Sequence, residues 1–254
     1  SYTNPYYTDE GISRGFDVYQ RDVDSTRTTI SQYQSSTLGG GVRFGVPITD
    51  DETIHYGLAA EQTKLTLTST SSQSFVDYVN IFGVSTTNLM GTIGWTHDSR
   101  DSVIYTTAGM MQHAFVEIGL PASDLRYYKL NYQQQWFHPL SKDLTLMLNG
   151  EGGAGKGYSG KPLPFFKNYY AGGPGSVRGF APGSIGPRDS YNNALGGQKR
   201  VVGNAELLFP FPGMAKEKSV RMSAFMDAGA IRGEGDMAGT TGLRYSAGLA
   251  FTWV

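Results

Sequence analysis

Val220-Arg221-Met222-Ser223-Ala224-Phe225-Met226-Asp227-Ala228-Gly229-Ala230 is the stretch whose reading decides the fold. Its even positions, Val220, Met222, Ala224, Met226, Ala228 and Ala230, are all apolar. Its odd positions, Arg221, Ser223, Phe225, Asp227 and Gly229, are mostly polar or small. A period of two is the signature of a β-strand with an apolar face and a polar one. The polar face carries a full cation and a full anion, so it cannot be packed into an ordinary core or against hydrocarbon.

The same period recurs along the chain. Leu243, Tyr245, Ala247, Leu249, Phe251 and Trp253 alternate with Arg244, Ser246, Gly248, Ala250 and Thr252. Val42, Phe44, Val46 and Ile48 alternate with Arg43, Gly45 and Pro47, and Ile54, Tyr56, Leu58 and Ala60 with His55, Gly57, Ala59 and Glu61. Strands are expected near 11–23, 37–48, 53–67, 84–97, 103–119, 125–137, 143–156, 199–209, 219–232 and 242–254, with 1–7 as the tail of another. Segment 103–119 alternates least well. Helical periodicity is almost absent.

The connections between these strands differ by end. Short turns fall near 8–10, 49–52, 98–102, 138–142 and 210–218, and longer Ser/Thr/Gly-rich links near 24–36, 68–83, 157–198 and 233–241, with 120–124 a short exception. Short turns at one end and long loops at the other are the habit of outer-membrane barrels, whose strands need about 9–11 residues to cross. The fold class expected is therefore all-β, a transmembrane antiparallel up-and-down β-barrel. A large soluble antiparallel barrel or sandwich explains the alternation but not the asymmetry of the loops.

Composition agrees with this reading. The chain has 254 residues, 34 glycines, 16 tyrosines, no cysteine and a formal net charge of −1. Low charge with glycine and aromatic enrichment suits strands, tight bends and aromatic girdles. The absence of a basic excess argues against nucleic acid as a partner. No run reaches the ~18 apolar residues of a membrane-spanning helix. Ser1-Tyr2-Thr3-Asn4-Pro5 lacks the basic and apolar regions of a signal peptide.

A Gly/Pro-rich segment, 158–198, is too long for a plain connection and belongs to the functional or disordered class. Its centre reads Ala171-Gly172-Gly173-Pro174-Gly175-Ser176-Val177-Arg178-Gly179-Phe180. The glycines Gly172, Gly173 and Gly175 allow the chain to fold back and deliver Arg178 into a confined space. Glu206 shares the polar face of its strand with Asn204, and Asp227 that of the next strand. A guanidinium is suited to bridge two carboxylates, so a loop locked by Arg178 on Glu206 and Asp227 is one reading. A solvated Arg178 and two carboxylates that hydrate the lumen is the plainer one.

Other signals are weak. Gly150–Gly157 nearly spells a P-loop, but Gly157 stands where Ser or Thr would hold magnesium, and no helix follows. His55, His97, His113 and His138 have no metal-ligand spacing; His97 and His138 sit at strand ends, where interfacial residues collect. No Gly-x-Ser-x-Gly elbow occurs. No catalytic residue, metal or cofactor is expected. An outer-membrane lipase or protease would still be a barrel, and its triad need not be local in sequence.

Gly172–Phe180 resembles the Val-Arg-Gly-Phe motif of the bacterial outer-membrane insertase superfamily. Thr3–Thr8, Ile185–Arg188, Ala205–Leu207 and Phe225–Gly229 are similar to the BamA family within it, in the same order along the whole chain. The resemblance implies a protein that folds and inserts β-barrel proteins into the bacterial outer membrane. Its clients would be unfolded outer-membrane proteins; outer-membrane lipid and accessory lipoproteins would be its other partners. It implies that Val177, Arg178, Gly179 and Phe180 form a lock inside the lumen, with Glu206 and Asp227 receiving the arginine. It also implies about ten to eleven strands of a roughly sixteen-stranded barrel. On that reading the first and last strands and the periplasmic POTRA domains lie outside these 254 residues. A TamA-like insertase, a two-partner secretion transporter and a passive porin are the alternatives.

Overall fold

The structure is a computed structural model that describes residues 1–24, 32–211, 220–233 and 242–253. Its strands are β1 (Tyr2–Asn4), β2 (Ser13–Asp24), β3 (Tyr33–Pro47), β4 (Glu52–Leu67), β5 (Ser85–Asp98), β6 (Gly109–Gly119), β7 (Tyr127–Pro139), β8 (Thr145–Gly157), β9 (Lys199–Pro210), β10 (Val220–Arg232) and β11 (Arg244–Trp253). They form one 11-stranded sheet in sequence order, and each neighbouring pair is antiparallel, as in β9 and β10, where Phe225 lies opposite Glu206 and Asp227 opposite Asn204. This is the up-and-down order that the alternation implies. The stretches 25–31, 212–219 and 234–241 of the expected connections lie outside the described residues.

The two faces separate as the period of two requires. On β10, Met226 is 68% exposed while Asp227 beside it is buried. Leu58, Leu130, Val201 and Leu249 also stand exposed on the outer face, which a membrane would cover. The inner face is a polar ladder: Arg200 pairs with Glu151 at 2.7 Å, and Asn149 donates to Asn204 at 2.8 Å. Trp95 stacks with His97 and Trp136 with His138 at the short-turn end, an aromatic girdle.

Two local expectations are corrected. Residues 103–108 are not strand, and β6 begins only at Gly109. The Asp101 carboxylate accepts from the backbone N–H of Thr107 at 2.9 Å and of Ala108 at 3.2 Å. Such side-chain bonds compete with a ladder and fold the chain locally. The link near 68–83 holds a helix, α1 (Gln73–Phe82), which ends at Gly83 with φ +85°. Its Phe75 and Tyr78 lie on one side and are buried. They pack with Tyr33, Leu65 and Phe165, and this cluster also draws β3 back to Tyr33, four residues earlier than the alternation suggests.

The apolar core therefore lies between the wall and the long loop rather than between two sheets. Its second part joins Tyr169, Ala171, Val177 and Ile185 of the loop to Val202 of β9 and Ile231 of β10.

Candidate functional site

The segment 158–198 leaves β8, makes a 3₁₀ turn at Phe165–Lys167 and folds into the lumen. Tyr169 bridges Gly197, Ala171 bridges Ile185 and Arg188 bridges Ala194, so isolated backbone bridges fold the loop back on itself. Its tip is a tight turn in which Ser176 N–H donates to Gly173 C=O and Gly173 N–H to Val177 C=O, both at 3.1 Å. Gly172 has φ +110°, and a Cβ there would stand 2.4 Å from the Ala181 carbonyl oxygen. That position accepts only glycine. At Gly175, by contrast, a Cβ would meet nothing within 4 Å. Of the loop glycines Gly172, Gly173 and Gly175, the last is set by neither strain nor space.

Val177 is fully buried, and it seats the tip against β10. The seat exists because residue 229 is glycine: a Cβ there would lie 2.7 Å from Val177 Cγ2. Arg178 follows directly. Its Nε donates to Asp227 Oδ2 at 2.7 Å and its Nη2 to Asp227 Oδ1 at 2.6 Å. The same Nη2 stands 2.7 Å from Glu206 Oε1. The backbone N–H of Arg178 also donates to Asp227, at 2.9 Å. The guanidinium carbon lies 3.7 Å from the centroid of the Phe225 ring. This bidentate, charge-assisted and stacked geometry is one that arginine makes and lysine cannot. Phe180 packs at the edge of the apolar cluster beneath, and Gly179, at φ +82°, turns the chain away.

Asn204 completes the site and was not singled out by sequence. Its side-chain N–H₂ donates to Asp227 Oδ1 at 2.8 Å and to the Ser176 carbonyl at 2.7 Å. It ties wall to loop while satisfying a buried carboxylate. The signal was available: Asn204 lies two positions before Glu206 on the same face, directly opposite Asp227.

A second anchor was also missed. Lys167 Nζ donates to Glu117 Oε1 of β6 at 3.0 Å and stands 3.6 Å from Glu61 Oε2 of β4. Its carbonyl accepts from Lys129 Nζ at 2.7 Å. Tyr127 donates to Glu117, and Tyr19 to Glu61 at 2.5 Å. Burial works against the Lys167 ammonium, but Glu117, Tyr127 and Glu61 outweigh it and hold its pKa above the ordinary lysine range. The loop is thus pinned at its base to β4 and β6 and at its tip to β9 and β10. Among the described residues no group of three or more His, Cys, Asp or Glu is placed to hold a metal.

An apolar outer wall, a polar inner wall and a long loop pinned within define part of the wall of a membrane β-barrel with a lumenal loop; among the described residues the 11-stranded sheet is open, its first and last strands unpaired with each other. The Omp85 superfamily domain matches residues 1–254, and the chain belongs to that superfamily. The outer membrane protein assembly factor BamA of Neisseria meningitidis serogroup B is 38% identical over 293 residues, covering 100% of this chain and 37% of that relative. The crystal structure of BamA from Haemophilus ducreyi lacking POTRA domains 1–3 superposes with a TM-score of 0.90 at 26% identity, covering 99% of this chain and 54% of that one. CdiB from Acinetobacter baumannii reaches a TM-score of 0.56 at 16% identity, covering 96% of this chain and 41% of that one, a likeness of fold alone. The chain spans 37% of the length of the Neisseria relative.

Proposed function

We propose that this chain works as the barrel wall of an insertase that folds β-barrel proteins into the bacterial outer membrane. The observation that carries the reading is Arg178, held by Glu206 and Asp227 on two adjacent strands in a chain matched end to end by the Omp85 domain. Clients are unfolded outer-membrane proteins, and the medium is outer-membrane lipid. Accessory lipoproteins are the further partners, contacting mainly segments outside this sequence. The work is done by edge pairing of strands, without covalent chemistry. In this scheme the Arg178 lock is scaffold. It joins the loop to β9 and β10 and stiffens the wall on which strands are templated.

Removing one member of such a pair leaves buried charge uncompensated, at about 3–5 kcal/mol. The test uses the full-length protein in liposomes, with folding of a client barrel followed by its shift on a gel. Arg178→Glu is expected to slow client folding sharply, and adding Glu206→Arg to restore part of it. Glu206 is the better swap partner, because Asp227 also holds Asn204 and the loop backbone. Normal client folding by Arg178→Glu would remove the lock from the function.

A further inference from the structure

The connection between β5 and β6 is folded where a two-residue hairpin would do. Residues 99–108 are braced throughout. Arg100 forks onto Asp98 at 2.7 and 2.8 Å. Tyr105 N–H donates to Ser102 Oγ at 3.1 Å and Thr106 Oγ1 to the Ser102 carbonyl at 2.6 Å. Thr106 is only 4% exposed. What buries this end of the connection includes a residue from a strand that is not its neighbour in the sheet. Arg221 Nη1 donates to the Thr106 carbonyl at 2.8 Å, and its guanidinium lies 4.2 Å from the centroid of the Tyr105 ring.

Arg221 belongs to β10, four strands from β6. Four spacings of ~4.8 Å put the two about 19 Å apart along the wall, so the contact bridges the inner side of the curve between β6 and β10. Arg221 lies on the polar face, at the short-turn end of its strand. Its Nε is buried without a hydrogen-bond partner, so packing against the connection holds the side chain where a free arginine would be solvated.

The long loop enters from the other end. Between its tip and the wall lies a polar chamber of about 270 Å³ lined by Gln133, Asn149, Glu151, Ser176, Arg178 and Glu206. A chamber of this chemistry conducts water and ions when it is open at both ends, so a seal has to be made at the mouths. We propose that residues 99–108 are a plug across the short-turn mouth, clamped by Arg221, and that the plug seals the barrel against passage of small solutes. The inference rests on the membrane barrel alone and goes beyond the insertase reading.

The test is ion conductance of the full-length protein in planar lipid bilayers. The variants are Arg221→Ala, Arg221→Lys and a shortened connection in which 101–107 is replaced by Gly-Ser-Gly. Arg221→Ala and the shortened connection are expected to raise conductance severalfold. Arg221→Lys should fall between, since an ammonium can keep the bond to the Thr106 carbonyl but replaces the guanidinium stacked on Tyr105 poorly. Wild-type protein that already conducts like the shortened variant overturns the proposal. So does unchanged conductance in variants that keep their heat-resistant fold. If Arg221→Ala does not fold, the shortened connection, which leaves every strand residue in place, decides the matter. Client folding is measured on the same preparations. A leaky barrel that still folds clients supports the plug, and a sealed barrel that folds none counts against the insertase reading only.

Discussion

The loop is held by two cations that do the same work by different physics. Arg178, at the tip, puts a planar fork onto Asp227, touches Glu206 and stacks on Phe225. Lys167, at the base, offers a compact charge to Glu117 and Glu61. Around Arg178 the geometry is specified by direction. Around Lys167 it is specified by a ring of alternative partners, because Tyr127 and Tyr19 also satisfy the two carboxylates. The difference teaches that the tip is a precise joint and the base a forgiving one. A tip that is released would swing on a base that stays fixed.

The largest expected effect breaks the tip. Arg178→Ala takes the cation from both Glu206 and Asp227, but Asp227 keeps its bond from Asn204, so barrel stability should fall by about 2–4 kcal/mol, read as an earlier loss of the heat-resistant gel band. Arg178→Lys should recover less than half of that, since a lysine loses the bidentate bond and the stacking. Full recovery by lysine would show that the tip needs only charge. Next comes the seat beneath the tip. Gly229→Val forces a side chain into the place of Val177, an overpacking expected to cost about 1–3 kcal/mol and to weaken the lock without touching any charge. Trypsin access at Arg178, measured on folded protein, is the readout; unchanged protection would mean that the Val177 seat is not what positions the arginine.

How much of this was legible differs between the two anchors for a physical reason. The wall was legible because each strand carries its own period, as in Val220–Ala230, and needs no knowledge of its neighbours. Arg178 and its two carboxylates could be brought together on paper because the partners fall on the two strands that follow the loop, but spacing alone left a solvated Arg178 as the plainer reading, and only the resemblance of Gly172–Phe180 to the insertase motif favoured the lock. Lys167 was not, because its partner Glu117 lies 50 residues upstream, and Glu61 still further back on β4. Only the register of β4 through β7 brings them together. Helix α1 was hidden by a Ser/Thr-rich flank and by burying only Phe75 and Tyr78. Residues 103–108 looked like strand because Val103, Ile104 and Tyr105 favour one; the Asp101 side chain, which ends the pattern, acts on backbone six and seven residues away.

The base should break more gently. Lys167→Ala leaves Glu117 on Tyr127 and Glu61 on Tyr19, so about 1–2 kcal/mol is expected rather than the full value for an orphaned pair. Lys167→Arg should be nearly silent, the reverse of the Arg178→Lys result. Equal sensitivity of the two sites to the conservative swap would erase the distinction between joint and hinge.

The smallest effect sharpens the comparison within the tip itself. Gly172 and Gly175 stand three residues apart in one glycine-rich run, yet only Gly172 has a positive φ and a carbonyl in the path of its Cβ. Gly172→Ala is therefore expected to cost upwards of about 1 kcal/mol in backbone strain and to displace Ala181. Gly175→Ala should lie within about 0.5 kcal/mol of the parent, since the new methyl enters open space in the chamber beside Arg178. The gel-shift midpoints of the two variants, measured side by side, check this. A Gly175→Ala protein as unstable as Gly172→Ala would mean that the tip takes a second conformation in which Gly175 also turns left-handed, and that the joint at Arg178 opens by rearranging its own turn.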